Sequence, residues 1–550
     1  SSNPIPALQA RIGIAQGRGD DAEVGRLISQ LQERMPQAVG PVMLEVDRLF
    51  ARREEQQARR RMDRALAEEP EAMIELRRAL RAMGGSSPLE RYRLDGAQVI
   101  REFESSGRTY REPMVLVLDY TVHRVFADGS MLELTHNVFR LQSQEAVDAM
   151  GEFEVPEGAQ LLTLQTVKAD GRRLEPDEIA GKETISFASL AVGDYIEFEY
   201  LRPRGSAAGY PGGFVGERFY FQSFETPFDR SELTVVVPRE IELTIDPRGP
   251  APRTETREDD GTRVYQWRVR ESRPLVQEPG SVASVEFLPS IYWGHGASWE
   301  QYVESLRDVL ADRDVRDPAV ERLVREIAGE GASPEARARR IYAWALREID
   351  DSQDLFGQAA AMVAARSGNR TRALRYLLAI AGVPAELALV RSFTADSTRS
   401  ELPDDDLYQN LLIRIRGDGG DPIWLSAGAQ DAPFGYIPPP LAGMDALVLN
   451  EQAERATVTE RSLEADLRRV EVEVALRGDG GARVTVVESY RGAGAVLWRN
   501  QLEEVPEAEL ERQFESGYVA NLLPGSTLER LVISGREDPE GELVLRYEVE

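Results

Sequence analysis

The 550-residue chain contains no cysteine and only three histidines, His123, His136 and His295. The first absence excludes disulfides, thiolate metal sites, iron–sulfur clusters and thiol nucleophiles together, and the second leaves little room for imidazole chemistry. Long apolar runs are missing too: none approaches the roughly 18–20 residues that a membrane-spanning helix needs. Positive charge is in deficit, with 66 Lys and Arg against 94 Asp and Glu, for a formal net charge of −28. Such a surface repels polyanions and anionic membranes, so nucleic acid is not an expected partner. Basic runs such as Arg52-Arg53 and Arg59-Arg60-Arg61 are interleaved with Glu and read as solvated helix faces. What is present, 42% hydrophobic and 29% charged residues, suits ordinary globular cores. At roughly 100–200 residues per domain the chain is multidomain. It opens SSNPIP, without Met or a leader peptide, and closes on RYEVE within a strand-like pattern. This reads as an excised or processed fragment. Removal of a secretory or lipoprotein leader leaves a Ser/Asn/Pro start, and so does an expression boundary.

Residues 1–86 read as helices: ALQARIGIAQ, DAEVGRLISQLQERMP, VGPVMLEVDRLFARREEQQARRRMDRALAEEP and EAMIELRRALRAMGG. LQERMP at Pro36 and LAEEP at Pro70 repeat their punctuation 34 residues apart, the tetratricopeptide period. Helix pairs of that kind stack on one another and leave a concave face for a protein partner. A plain helical bundle is the alternative. Gly84-Gly85-Ser86-Ser87-Pro88 closes the segment as a linker. Over 90–288 the period becomes 2. MVLVLDYTVHRVFADGSMLELTHNVFRL is two strands around an Asp128-Gly129 hairpin turn, and TLQTVKADGRRL repeats the device at Asp170-Gly171. With DYIEFEYLRP, SELTVVVP, IELTIDP and TRVYQWRVRES, the segment predicts an antiparallel β-sandwich. His123 and His136 fall on adjacent strands and could face one another. Without Cys or acidic ligands nearby they read as structural, and no metal or cofactor is expected. Tyr210-Pro211-Gly212-Gly213 reads as a turn, or as a loop able to cover a ligand. The acidic clusters at 403–406 and 258–261 lack the alternation of a calcium loop and read as solvated turns.

Helical periodicity returns at Ser298 with SWEQYVESL, VERLVREIAGEG and SPEARARRIYAWALREI. The Ser333-Pro334 start of the last supplies an N-cap followed by Pro at the first helical position. SGNRTRALRYLLAIAGVPAELALV, Ser367 to Val390, reads as loop, helix and buried strand, and LLIRIRG and PIWLSAG as further strands. Residues 298–450 thus describe an α+β domain. Residues 463–550, opening LRRVEVEVALRGDGGARVTVVESYRG, read as a C-terminal β-domain cut short at Glu550. The fold class is multidomain α+β.

The order helix, loop, core helix, strand, strand suits the presentation of a nucleophile. A side chain at the start of the core helix sits among unpaired N–H groups at the positive end of the dipole, which lowers a thiol's pKa. On SPEARARRIYAWALREI, AAAMVAARSGNRTRALRYLLAIAGVPAELALV, LYQNLLIRI and PIWLSAGAQDAPFGYIPPPLAG, residues 333–450 resemble a transglutaminase-like core of the papain-type superfamily. The preceding strands, through LAVGDYIEFEYL above all, resemble a bacterial domain of unknown function that commonly precedes such cores. The region after 463, with its Gly-Ala-Gly and Arg499 text, resembles the β-domain that often follows. The resemblance implies a Cys-His-Asp triad, and the chain departs from it at each position. Where the family pattern has Gly-Asp-Cys-x-Asp, this sequence reads Gly368-Asn369-Arg370-Thr371-Arg372, so Arg370 takes the nucleophile's place. The His position falls on Asn410 in Tyr408-Gln409-Asn410, and the Asp position on Ser426 in Trp424-Leu425-Ser426.

A pseudoenzyme is the expectation, because loss of a nucleophile costs about a millionfold where such triads have been dissected. Arg is always protonated and cannot serve as a base. Thr371 or Ser367 as a hydroxyl nucleophile would need a His or Lys that no motif supplies. Two readings of the replacement stay open. In one, Arg370, Arg372 and Arg375 begin a helix that favours anions, Trp424 and Tyr436 line the same cleft, and a carboxylate or acidic glycan docks there. In the other, the cleft is a relic and Arg370 and Arg372 reach solvent or pair with Asp404, Asp405 and Asp406. Tyr342 and Trp344 read as core. The expected function is a non-catalytic, extracytoplasmic module of a bacterial cell envelope. It would bind a protein through the helical segment, and a peptide, peptidoglycan fragment or glycan in the remnant cleft. The alternatives are a hydrolase or acyltransferase with a non-Cys nucleophile, and a purely structural assembly subunit.

Overall fold

The helical period at the start of the chain is realised as α1 (Pro4–Gly17), α2 (Asp21–Arg34), α3 (Val39–Ala51) and α4 (Glu55–Glu68). The computed structural model describes every residue except 1–3, 35–38, 69–88, 127–128, 177–183, 206–208, 211, 311–315, 353–354, 356, 395–398 and 461–462. The chain is a multidomain α+β protein in two compact units, residues 1–298 with 398–403, and residues 299–397 with 404–550. Each N-terminal helix packs on the next. Leu8 and Ile12 meet Val24, Leu27 and Leu31, and Val42 and Val46 meet Ala58 and Met62. These are apolar stripes at helical spacing that a lone helix could not hide. Arg48 on α3 grips Asp21 on α2 through bonds of 2.8 and 2.9 Å. The helical phrase at 71–85, Pro36, Pro70 and the linker at 84–88 fall wholly or largely outside the described residues.

Past residue 90 the first unit turns to strands. β1 (Met114–Val125) and β2 (Met131–Leu141) form a hairpin registered from Val125↔Met131 to Met114↔Leu141. Gly129 in its turn has φ +83, a conformation that suits a residue without Cβ, while Asp128 lies outside the described residues. β3 (Gln160–Val167), β4 (Tyr195–Arg204), β5 (Phe228–Pro238), β6 (Glu255–Asp259) and β7 (Thr262–Ser272) extend it. The sheet has eight strands in the order β6-β7-β5-β1-β2-β4-β3 and Arg173–Leu174. One neighbour pair departs from the expected antiparallel arrangement: β1 and β5 run parallel, from Asp119↔Ser231 to Arg124↔Val236. Alternation of period 2 reports which face a side chain takes and is silent about strand direction.

α5 (Gly96–Ser106) is capped by Asp95, which accepts the Ala97 N–H at 2.9 Å. It lays Val99, Ile100 and Phe103 on the sheet face that carries Val122 and Leu134. The other face, with Leu233, Val235 and Trp267, packs against Phe214, Ile291 and Trp293 of a smaller sheet. Across the hairpin His123 is opposite Glu133 and His136 opposite Tyr120, so the two histidines point to opposite faces and do not face one another. His123 lies 5.0 Å from the Trp293 ring, and His136 Nε2 lies 3.0 Å from Glu197 Oε1. Asp260 and Gly261, at φ +45 and +73, make the turn between β6 and β7. Gly213 N–H bonds back to Tyr210 at 2.8 Å in a turn whose Pro211 lies outside the described residues.

The second unit begins with α6 (Trp299–Leu310), α7 (Pro318–Ala328), α8 (Pro334–Glu348), α9 (Ala359–Ala365) and α10 (Arg370–Ile380). Ser333 Oγ accepts the Ala336 N–H at 3.2 Å, so the Ser-Pro start caps α8 as its sequence reads. Gly382, at φ +69, ends α10 and turns the chain into β8 (Ala385–Val390). With β9 (Asn410–Arg416), β10 (Pro422–Leu425), β11 (Asp445–Val448) and β12 (Arg455–Thr457), it builds an antiparallel sheet in the order β10-β9-β8-β11-β12. The C-terminal sheet, β13 (Arg468–Leu476), β14 (Ala482–Tyr490), β15 (Leu528–Ser534) and β16 (Leu543–Val549), has the order β13-β14-β16-β15. α11 (Ala493–Glu503) and the helical turns over 507–522 pack on it, so this region is not purely β. α11 opens Ala-Gly-Ala, with little side chain to display a helical pattern.

Candidate functional site

Asp350 and Asp351 leave α8 and pair in parallel with Ser367 and Gly368. This short bridge aims the chain into α10. Gly368 has φ +137, and a Cβ there would come within 2.6 Å of the Met362 side chain, so the entry is built around a glycine. Two side-chain oxygens then satisfy the first turn. Asn369 Oδ1 accepts the Arg372 N–H at 3.0 Å, and Asp351 Oδ1 accepts the Arg370 N–H at 2.9 Å.

Arg370 is the first residue of α10 and is only 4% exposed. Its Nε donates to the Ile349 carbonyl at 2.7 Å and its Nη1 to the Ala427 carbonyl at 3.1 Å. The guanidinium therefore ties the end of α8 to the segment after β10. Desolvation lowers its pKa from the ordinary arginine value, against the opposing pull of Asp351 and Asp350. Arg372, 2% exposed, donates from Nη1 to the carbonyls of Leu355 at 2.5 Å and Gly357 at 2.7 Å. Two expectations need correction: neither arginine reaches solvent, and the Arg370 guanidinium is committed to carbonyls and does not stand open to a ligand. Among the described residues these loop carbonyls have no main-chain donor, and a guanidinium brings five N–H groups to them. Asp404 is also no solvated turn residue: it is buried and caps the next helical turn through the Asp406 N–H at 3.2 Å.

Beside the α10 entry lies a cavity of about 430 Å³, lined by Asn369, Thr371, Asn410 and Ser426, with Asp351, Asp405 and Tyr302 among its other residues. Asn410 begins β9 and donates from Nδ2 to the Val390 carbonyl at 3.2 Å and Ser392 Oγ at 3.1 Å. Ser426 follows β10, and its carbonyl accepts the Tyr342 hydroxyl at 2.8 Å. The structure thus brings Asn410 and Ser426 to one cavity together with both chain neighbours of Arg370, while Arg370 itself is not part of the lining. Trp424 and Tyr436 do not line it either. Trp424, 2% exposed, packs with Leu412, Ile437 and Leu441, and its indole fills the layer between the sheet and the Pro-rich segment. Tyr436 is buried, as are Tyr342 and Trp344.

Sequence reasoning passed over Asp351 and Asp405 as cavity residues. Desolvation, then the neighbouring Asp404, raises the Asp405 carboxyl above its usual range. The whole second unit contains no Cys, His or Lys, so carboxylates are the only side chains in it suited to accept a proton from Thr371 or Ser426.

One segment has a family match. Residues 181–276 fit the model of a domain of unknown function with solved structure, DUF3857. The match spans β4 to β7 and includes LAVGDYIEFEYL, the phrase that pointed to such a domain. The crystal structure of a putative protease from Parabacteroides distasonis is similar with a TM-score of 0.51 at 13% identity, over 80% of this chain and 93% of that one. At that identity the likeness is one of fold alone. Legionella pneumophila aminopeptidase A, solved in complex with aspartic acid, matches with a TM-score of 0.20 at 10% identity, over 34% of this chain and 22% of that one, too slight to argue from. No curated protein matches the chain. Among the described residues no helix is long and apolar enough to cross a membrane.

Proposed function

We propose that the chain is a non-catalytic, transglutaminase-like pseudoenzyme that serves as an interaction or ligand-binding module outside the cytoplasm, in a bacterial cell envelope. On this reading residues 1–86 form a tetratricopeptide-like docking segment, 90–288 a β-sandwich containing the domain of unknown function, 298–450 the degenerate core, and 463–550 a closing β-domain. The observation that carries it is Arg370. At the helix position where such a core holds its thiol, this chain has a guanidinium bonded to the Ile349 and Ala427 carbonyls. Asn410 and Ser426, at the two partner positions, share a cavity that contains no imidazole and no thiol. The fold likeness over 80% of the chain supports the assignment of the scaffold.

The test is turnover by the full chain of amide, ester and transamidation substrates, with no rate above buffer expected. Turnover abolished by Ser426→Ala or Thr371→Ala would sink the reading and install the second one, a hydroxyl nucleophile activated by a carboxylate. That alternative has one observation in its favour, since both hydroxyls belong to residues lining the cavity. Fractionation of the native host, with recovery in the periplasm or envelope, tests the location.

A further inference from the structure

We infer that the cavity beside α10 binds a neutral polyhydroxyl ligand, a mono- or disaccharide, and neither a carboxylate nor an ammonium group. The inference rests on the reading of this core as a binding cleft and names the ligand class. Thr371 and Ser426 are 8% and 6% exposed, yet neither hydroxyl has a hydrogen-bond partner among the described residues. Neither is a fully shielded orphan, and both residues line the cavity. Unmet polar groups at a nearly dry wall are costly unless a ligand or water completes them. Asn410 commits its Nδ2 to Val390 and Ser392, and its Oδ1 accepts no hydrogen bond among the described residues.

The floor therefore offers two hydroxyls that both donate and accept, and one free amide acceptor. A sugar hydroxyl, itself donor and acceptor, matches that set. A carboxylate does not, because the cation expected to meet it, Arg370, is spent on carbonyls, while Asp351 and Asp405 stand at the cavity and repel it. An ammonium would need a carboxylate at the dry floor. Asp351 is an exposed residue that already accepts the Arg370 N–H, and the Asp405 carboxyl is held above its usual range by desolvation and by Asp404, which weakens its pull on a cation. Tyr302, half-buried in the lining, supplies an aromatic wall for the C–H face of a sugar ring.

The experiment titrates the full chain by calorimetry and saturation-transfer NMR with N-acetylglucosamine and cellobiose as neutral probes, 1,5-diaminopentane as the cation and glutarate as the anion. At least one saccharide is expected to bind with little salt dependence, and Ser426→Ala and Thr371→Val are each expected to weaken it about three- to tenfold. Diaminopentane binding that Asp405→Asn or salt removes, or glutarate binding, would overturn the saccharide class while keeping the cleft as a binding site. Saccharide binding unmoved by either variant places the site elsewhere and also overturns it. No binding by any probe ends both readings. Turnover of an acyl substrate alongside saccharide binding at the cavity ends only the pseudoenzyme reading.

Discussion

The eight-stranded sheet and the entry of α10 both bury charge, and they neutralise it in different ways. In the sheet unit charge meets charge. Arg93 bonds Glu199 at 2.5 Å, Arg108 grips Asp229 through bonds of 2.6 and 2.9 Å, and Arg202 bonds Glu133 at 2.9 Å. At the start of α10 the Arg370 guanidinium donates to two main-chain carbonyls, those of Ile349 and Ala427. Arg499 in α11 repeats the pattern on the carbonyls of Gly535, Pro539 and Gly541. An ion pair ties two side chains together, whereas a carbonyl clasp sets the path of loops. Breaking the first strands a buried charge; breaking the second strands neutral acceptors. The clasp also removes the cation from any ligand's reach.

The contrast yields an order of effects. Arg93→Ala leaves Glu199 buried without its cation and should cost about 3–5 kcal/mol in urea unfolding. A loss no larger than that of Arg370→Met would break the comparison. Asp119 is the sheet's exception, a carboxyl with a 2.6 Å bond from Ser231 and burial that pushes it up to about 7. Its folded value lies above the unfolded one, so its contribution to stability falls as pH rises from about 4 through about 7. Asp119→Asn should be flat across that window and about 2 kcal/mol more stable at pH 8, read from melts at several pH values. Arg370→Met, which frees the Ile349 and Ala427 carbonyls, should cost about 1–2 kcal/mol and leave the pH profile unchanged. The smallest effect belongs to Glu454 at the surface, held down at about 2 by the Arg414 guanidinium. Its stabilisation is present above about pH 4.5 and lost as pH falls through about 2. Solvent screening keeps it under about 1 kcal/mol, and Glu454→Gln should erase it from acid-range melts.

Much of the local structure was legible because its causes are local. Ser333-Pro334 caps α8 and Gly129 turns the first hairpin, since cap and turn chemistry acts over three or four residues. The parallel pairing of β1 with β5 was not legible, because a strand's neighbour is chosen by the path of the chain between them. Asn410 and Ser426 were found through the text around them, and they do share a cavity. The positions of Trp424 and Tyr436 were misjudged because motif order says nothing about which side of a sheet layer a ring fills.

By itself the sequence determined what chemistry is absent: without Cys there is no thiol, and a unit without His or Lys has only carboxylates as bases. Composition settles that, since no fold can supply a missing functional group. Only the tertiary structure decided where Arg370 spends its charge. Carbonyls left over at the ends of α8 and β10 exist only once those elements are packed, and a buried guanidinium turns to whichever acceptors lack a donor.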